Sequence, residues 1–266
     1  KEQLFNMIGM QSVKDVLEAY DVRDKQSTSN YTDLTASRLN PNLPKTEKKA
    51  EMIHFVLTGN PGTGKTTVAK LIGQMFYEMG YLESGHVVEV NRSQLIGEYI
   101  GQTAIKTADY IQKAMGGVLF IDEAYALAQG GENDFGQEAI DTLVKMMDDN
   151  RDRLVVILAG YSEDMQNFLE KNAGLQSRFA NIIEFPDYTT DELMQIAKGM
   201  YKEQGYALDA GGEKELRAKL DAARAEKHFG NGRYVRNIFE KSLNNQALRL
   251  SRESNYTPES LTMTTK

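Results

Sequence analysis

The stretch Gly59-Asn60-Pro61-Gly62-Thr63-Gly64-Lys65-Thr66 decides how this chain folds. It satisfies the pattern G-x4-G-K-[ST] at every fixed position. Just before it, Ile53 to Leu57 is a short β-branched and aromatic run, the composition of a buried strand. Just after it, Thr66 to Met79 sets Val68, Leu71, Ile72, Met75, Phe76 and Met79 at helical spacing. Strand, glycine-rich turn and helix, in that order, present backbone N–H groups and the positive end of a helix to an anion. In such a loop Lys65 reaches the β- and γ-phosphates, and the Thr66 hydroxyl ligates magnesium. The sequence therefore predicts a nucleoside triphosphate site with Mg2+. It uses the turn residues Asn60, Pro61, Gly62, Thr63 and Gly64, with Lys65, Thr66 and Thr67 at the helix start.

The same rhythm continues outward. Strands are expected at His86–Val90, Val118–Ile121, Leu154–Leu158 and Ile182–Phe185. Between them, helices are marked by Ala104, Ile105, Ala108, Ile111 and Met115, and by the run from Gln137 to Met147. Strands alternating with helices of this length give a parallel sheet covered on both faces. Strands stop after Pro186 in this reading. Thr189-Thr190-Asp191-Glu192 is a capping box that opens a helix carrying Leu193, Ile196, Ala197 and Met200. Glu213–Ala225 and Arg233–Leu250 read as two further helices. The expectation is an α/β fold: a five-stranded parallel sheet between helices over residues 1–186, led by an N-terminal helical segment with Val13, Val16 and Leu17 on one face. A small all-α domain follows over 187–266.

Composition removes whole classes of function. The chain has no Cys, so disulfides, thiolate metal sites and Cys nucleophiles are excluded. His54, His86 and His228 lie too far apart in sequence to form a metal-ligand pattern. Asp and Glu number 38 against 31 Lys and Arg, a net charge of -7, which argues against a nucleic-acid partner. The longest apolar runs, such as Val155 to Ala159, fall far short of the roughly 20 residues that span a bilayer. No membrane partner and a cytoplasmic location are expected.

A second motif stands downstream of the phosphate loop. Gly116-Gly117-Val118-Leu119-Phe120-Ile121-Asp122-Glu123 is an apolar strand that ends in two carboxylates. Behind a phosphate loop, Asp122 suits magnesium, and Glu123 suits the general base that takes a proton from the attacking water. The pair favours hydrolysis over phosphotransfer or a slow nucleotide switch.

Taken with Gly97-Glu98-Tyr99-Ile100-Gly101, Val155 to Tyr161 and Gly230-Asn231-Gly232-Arg233, these motifs make the chain resemble the AAA+ ATPases. The resemblance runs from Ile8-Gly9 to about Leu250. It falls in the branch of the red-type rubisco activases, and it is strongest toward a sporulation member through Gly131–Lys145 and Gly174–Phe179. The resemblance implies ATP as the nucleotide and a ring, a hexamer, in which each chain partners copies of itself and a client protein. It implies that Arg178 is an arginine finger acting on the neighbour's nucleotide. Arg233 would be the sensor-2 arginine, with Arg236 one helical turn on as its rival. Ile8 and Gly9 would pack near adenine, and Tyr99, Ile100 and Gly101 would be a client-gripping pore loop, joined by the polar loop Gly130–Phe135. Tyr161 departs from the small polar residue expected at sensor 1, although a phenol still donates and accepts a hydrogen bond. An activase proper, a secretion-associated ATPase and a nucleic-acid-directed ATPase are the alternatives.

Overall fold

The computed structural model describes residues 14, 15, 18, 19, 54–99, 101–130 and 135–252, with the backbone of 263 and 264. The expected N-terminal helix face at Val13, Val16 and Leu17, the adenine-facing Ile8 and Gly9, and Ile100 lie outside the described residues, as does most of the loop from 130 to 135.

The chain forms two compact units. Among the described residues, the first takes 14, 15, 18, 19, 54–58 and those of 65–184, and the second takes Gly59–Gly64 and those from Phe185 onward. By their contacts, residues 59–64 group with the C-terminal unit, where their neighbours are close and polar, as described below.

The first unit is built on strands β1 (Phe55–Gly59), β2 (Val87–Val90), β3 (Val118–Ile121), β4 (Val155–Gly160) and β5 (Asn181–Phe185). They form a parallel sheet in the order β2-β3-β4-β1-β5. Register is fixed across its centre by Ile121 opposite Leu158 and by Leu57 opposite Ala159. Every residue of β1, β3 and β4 is buried, as both-face coverage requires. Helices α1 (Lys65–Glu78), α2 (Arg92–Leu95), α3 (Gln102–Ala114), α4 (Gly136–Asp149), α5 (Ser162–Glu170) and α6 (Ala173–Gln176) connect them.

Alternation along the strands splits the core. Val56, Leu119, Ile121, Val156 and Leu158 pack with Ile111 of α3, Leu143 and Met147 of α4, and Phe168 of α5. On α1 the buried stripe is Val68, Ala69, Ile72, Met75 and Phe76, and the Phe76 ring stacks on Phe55 of β1 at 5.9 Å. Each fully buried side chain of this size contributes roughly 1.5–3 kcal/mol. That burial holds α1, and so Lys65 and Thr66, rigidly on the sheet.

In the second unit the capping box is present: Thr189 accepts from the Glu192 N–H, and the Glu192 carboxylate accepts from the Thr189 N–H at 2.8 Å. It opens α7 (Thr190–Glu203), followed by α8 (Ala210–Ala223) and α9 (Asn231–Arg252). The sequence reading ends the strands at Pro186. The structure adds a two-residue parallel pair, β6 (Ala207–Leu208) with β7 (Met263–Thr264), too short to leave any periodicity. Tyr201 of α7 meets Phe239 of α9 edge-on at 4.8 Å and closes the helical core.

Candidate functional site

In the order β3-β4-β1, the carboxyl ends of three strands lie side by side. β1 feeds the phosphate loop, β3 runs into Asp122, and β4, between them, runs into Tyr161. Such strand ends at a reversal of strand order are where open α/β sheets bind ligands. The motifs far apart in sequence are thus gathered at one edge of the fold by topology alone.

The loop is shaped by backbone that side chains tolerate poorly. Gly62 has φ +72°, and a Cβ there would lie 2.3 Å from the Gly230 carbonyl and 2.6 Å from the Arg233 nitrogen. Strain and steric exclusion both demand glycine. Thr63 is buried; its hydroxyl donates to the Asn60 carbonyl at 2.8 Å and its carbonyl accepts from the Tyr188 hydroxyl at 3.2 Å. Burial, with the Glu192 charge adding to it, pushes the Tyr188 phenol up to about 12, so it stays a donor. Lys65 and Thr66 open α1, and the start of a helix presents backbone N–H groups and a positive dipole end suited to an anion.

Asp122 is anchored by its own N–H donating to the Val90 carbonyl at 2.9 Å, and it accepts from the Glu123 N–H at 3.1 Å. Glu123 is exposed and sits at φ 49°, ψ 45°, a left-handed conformation that a non-glycine residue adopts at a cost. The Tyr125 phenol lies within reach of its charge. Tyr125 and Tyr161 stand 6.1 Å apart, and the Tyr125 ring lies against Gly160, where a Cβ would meet it at 2.8 Å. Burial first, then the Glu123 charge, pushes the Tyr125 phenol up to about 12. Sequence reading singled out Tyr161 and missed Tyr125, whose place beside Glu123 was legible only in its being two residues away.

Arg178 is held within its own chain. Its Nε donates to Asp148 Oδ1 at 2.9 Å, a second nitrogen pairs closely with Asp148 Oδ2, and Nη1 donates to the Gly174 carbonyl at 2.6 Å. Bonding to Asp148 raises the guanidinium pKa, and the same bond lowers that of the carboxyl. No sequence signal marked Asp148, which lies 30 residues upstream. Tyr99 is 68% exposed, and Gly101, at φ 81°, caps α3 behind it. Arg233 and Arg236 are both exposed on α9. The Arg233 backbone is the one that lies against Gly62, whereas Arg236 is a turn further along the helix.

The donor set fits a magnesium nucleotide. Among the described residues no cluster of three or more His, Asp or Glu could hold a metal alone. A hydroxyl from Thr66 and a carboxylate from Asp122 leave the remaining positions to phosphate and water, which suits Mg2+.

A P-loop α/β domain with an acidic second motif, followed in sequence by a helical domain, defines a nucleotide-driven ATPase architecture. The sequence profile of the ATPase family associated with various cellular activities (AAA) matches residues 55–187, and that of the AAA lid domain matches 189–266. The chain belongs to the AAA ATPase family. It is 54% identical over 203 residues to stage V sporulation protein K of Bacillus subtilis, covering 75% of this chain and 63% of that protein. It is 49% identical over 199 residues to protein CbbX of Cereibacter sphaeroides, covering 74% and 64%. The chain thus spans a little under two thirds of these relatives' length, and they set it in the expected branch. Among solved structures, the FIGL-1 AAA domain superposes with a TM-score of 0.63 at 15% identity, covering 98% of this chain and 78% of that one. A Thermotoga maritima RuvB variant gives 0.59 at 18% identity, covering 97% and 66%. At such identities the likeness is one of fold.

Proposed function

We propose that the chain is a magnesium-dependent ATPase that assembles as a ring, a hexamer in keeping with its family, and works on a client polypeptide in the cytoplasm. The observation that carries the reading is the pair Asp122-Glu123. It follows a fully buried strand, with Asp122 anchored and Glu123 turned out in a strained conformation. Backbone strain kept at an exposed carboxylate supports a working role for that group.

Lys65 offsets phosphate charge, Thr66 and Asp122 hold magnesium, and Glu123 accepts the proton of the attacking water. Magnesium, when bound, draws charge from the phosphate oxygens. Arg178 supplies a cation to the neighbouring subunit's site, and Arg233 supplies one from α9. Tyr161 orients water, and Tyr99 with Ile100 and Gly101 grips the client. The 54% identity to a sporulation protein makes a spore-forming cell the place to seek that client.

Lys65→Ala should abolish binding of labelled ATP. Glu123→Gln should bind ATP like the parent while phosphate release falls at least about a hundredfold, the scale of a general base. Turnover by Glu123→Gln near the parent rate would remove Glu123 from the role of base.

A further inference from the structure

The phosphate loop is tied to the helical segment that follows residue 186 by a partly buried polar chain that the mechanism above does not use. Asn60, in the loop, donates its side-chain amide to both oxygens of Asp187 at 3.0 Å. Asn231 donates to the same carboxylate, at Oδ1, at 2.7 Å, and it also faces the carbonyls of Pro61 at 3.4 Å and Phe229 at 3.0 Å. Its own carbonyl oxygen accepts from the Tyr188 N–H at 3.0 Å. Beside this chain the Gly232 N–H donates to the Gly62 carbonyl at 3.0 Å. Asn231 is fully buried and stands at φ 44°, a conformation that Asn tolerates better than most residues.

Packing alone does not account for this arrangement. A buried amide in a left-handed conformation is stable only where its donors and acceptor are all met. Here they are met by the phosphate loop on one side and by Asp187 and Tyr188 on the other. Asn231 is also the first residue of α9, two before Arg233.

We propose that Asp187 and Asn231 are positioning residues for the ATPase reaction. They clamp the outer arm of the phosphate loop, Asn60 to Gly62, onto the first turn of α9. The loop's grip on phosphate and the placement of Arg233 then become a single setting. Asp187 suits the role because one carboxylate accepts from two amides at once, one from each partner. The proposal that Arg233 is set by this clamp rests on the reading of Arg233 as the nucleotide-sensing arginine; the effect on the loop does not.

The test uses the full 266-residue chain and a fluorescent ATP analogue with magnesium. Asn231→Asp keeps the acceptor for Tyr188 and the tolerated backbone but turns two carboxylates on each other. It should weaken nucleotide binding at least about tenfold, as loss of a hydrogen bond to a charged group does. The weakening should appear in KM more than in kcat and should speed amide exchange at residues 59–64. Adding Asp187→Asn restores a donor facing an acceptor and should recover part of the affinity. If Asn231→Asp does not fold, Asp187→Asn alone, of the same shape without the charge, reads the same quantity. A folded variant that melts earlier yet binds the nucleotide as the parent does overturns the proposal, since the residues are then only structural. Arg233→Ala separates the two readings. In the parent it should lower turnover, and in the Asn231→Asp background it should cost clearly less. If Arg233→Ala is silent in both while Asn231→Asp still loosens the nucleotide, the sensing arginine is wrong and the clamp on the loop stands.

Discussion

His54 shows how a single side chain acquires its chemistry from its surroundings. It precedes β1, is fully buried, and accepts the Val156 N–H at Nδ1 at 3.1 Å, which leaves its proton on Nε2. Its ring lies 5.7 Å from Phe179, next in sequence to Arg178. Burial first and the Arg178 charge second lower its pKa to about 4, with Asp148 opposing. Between the ordinary value of 6.5 and about 4 the unfolded chain binds this proton and the folded chain does not. Stability therefore falls as pH drops through that window, by up to roughly 3 kcal/mol. Urea unfolding of the parent at pH 7 and at pH 4.5, beside His54→Asn, checks it. The variant keeps an acceptor for Val156, and its acid sensitivity should be smaller by about that amount. An equal loss in both proteins would remove His54 as a source of acid instability.

At the scale of elements, the segment between β2 and α3 stands out. Gly97 donates its N–H to the Thr103 hydroxyl at 2.9 Å, and the Gln102 N–H donates to the Tyr99 carbonyl, so the turn is fixed while the Tyr99 ring stays in water. An aromatic offers large contact area with few torsions to freeze. Tyr99→Ala should leave assembly and ATP binding unchanged and abolish remodelling of a client, with client-stimulated hydrolysis falling far more than basal hydrolysis. Light scattering and ATPase assays with and without a client decide it; normal remodelling would take Tyr99 out of the client path. Elements were legible in the sequence wherever burial imposed a period, as in the stripe Val68, Ile72, Met75 and Phe76. The short ones were not. Asn91 and Gln94 form a capping box over α2, a signal present but easily lost over four residues, and α5 shows only Met165, Phe168 and Leu169. The phosphate loop and the Asp122-Glu123 pair were legible because each is contiguous. Asp148, Asp187 and Asn231 were not, because their partners are brought near only by folding.

At the scale of the whole molecule, Arg178 is the residue whose proposed role needs more than one chain. Alone, its guanidinium is occupied by Asp148 and Gly174. An arginine finger contributes about a thousandfold or more to turnover. Arg178→Ala should therefore lose turnover yet bind ATP at its own loop, and mixing it with Lys65→Ala should restore part of the activity in mixed assemblies. Phosphate release across a titration of the two variants measures this; mixed assemblies with no recovered turnover would argue that Arg178 does not act in trans. The grouping of residues 59–64 with the C-terminal unit has another bearing, on how relatives of this chain exchange parts. Asn60 and Asp187 are 127 positions apart in sequence, yet they answer to one another atom for atom. A gene crossover anywhere between them would join one parent's loop to the other parent's acceptor. Recombinants should survive when the loop and the C-terminal unit are inherited together and the sheet between them is exchanged, so the unit of inheritance here is not a continuous length of chain.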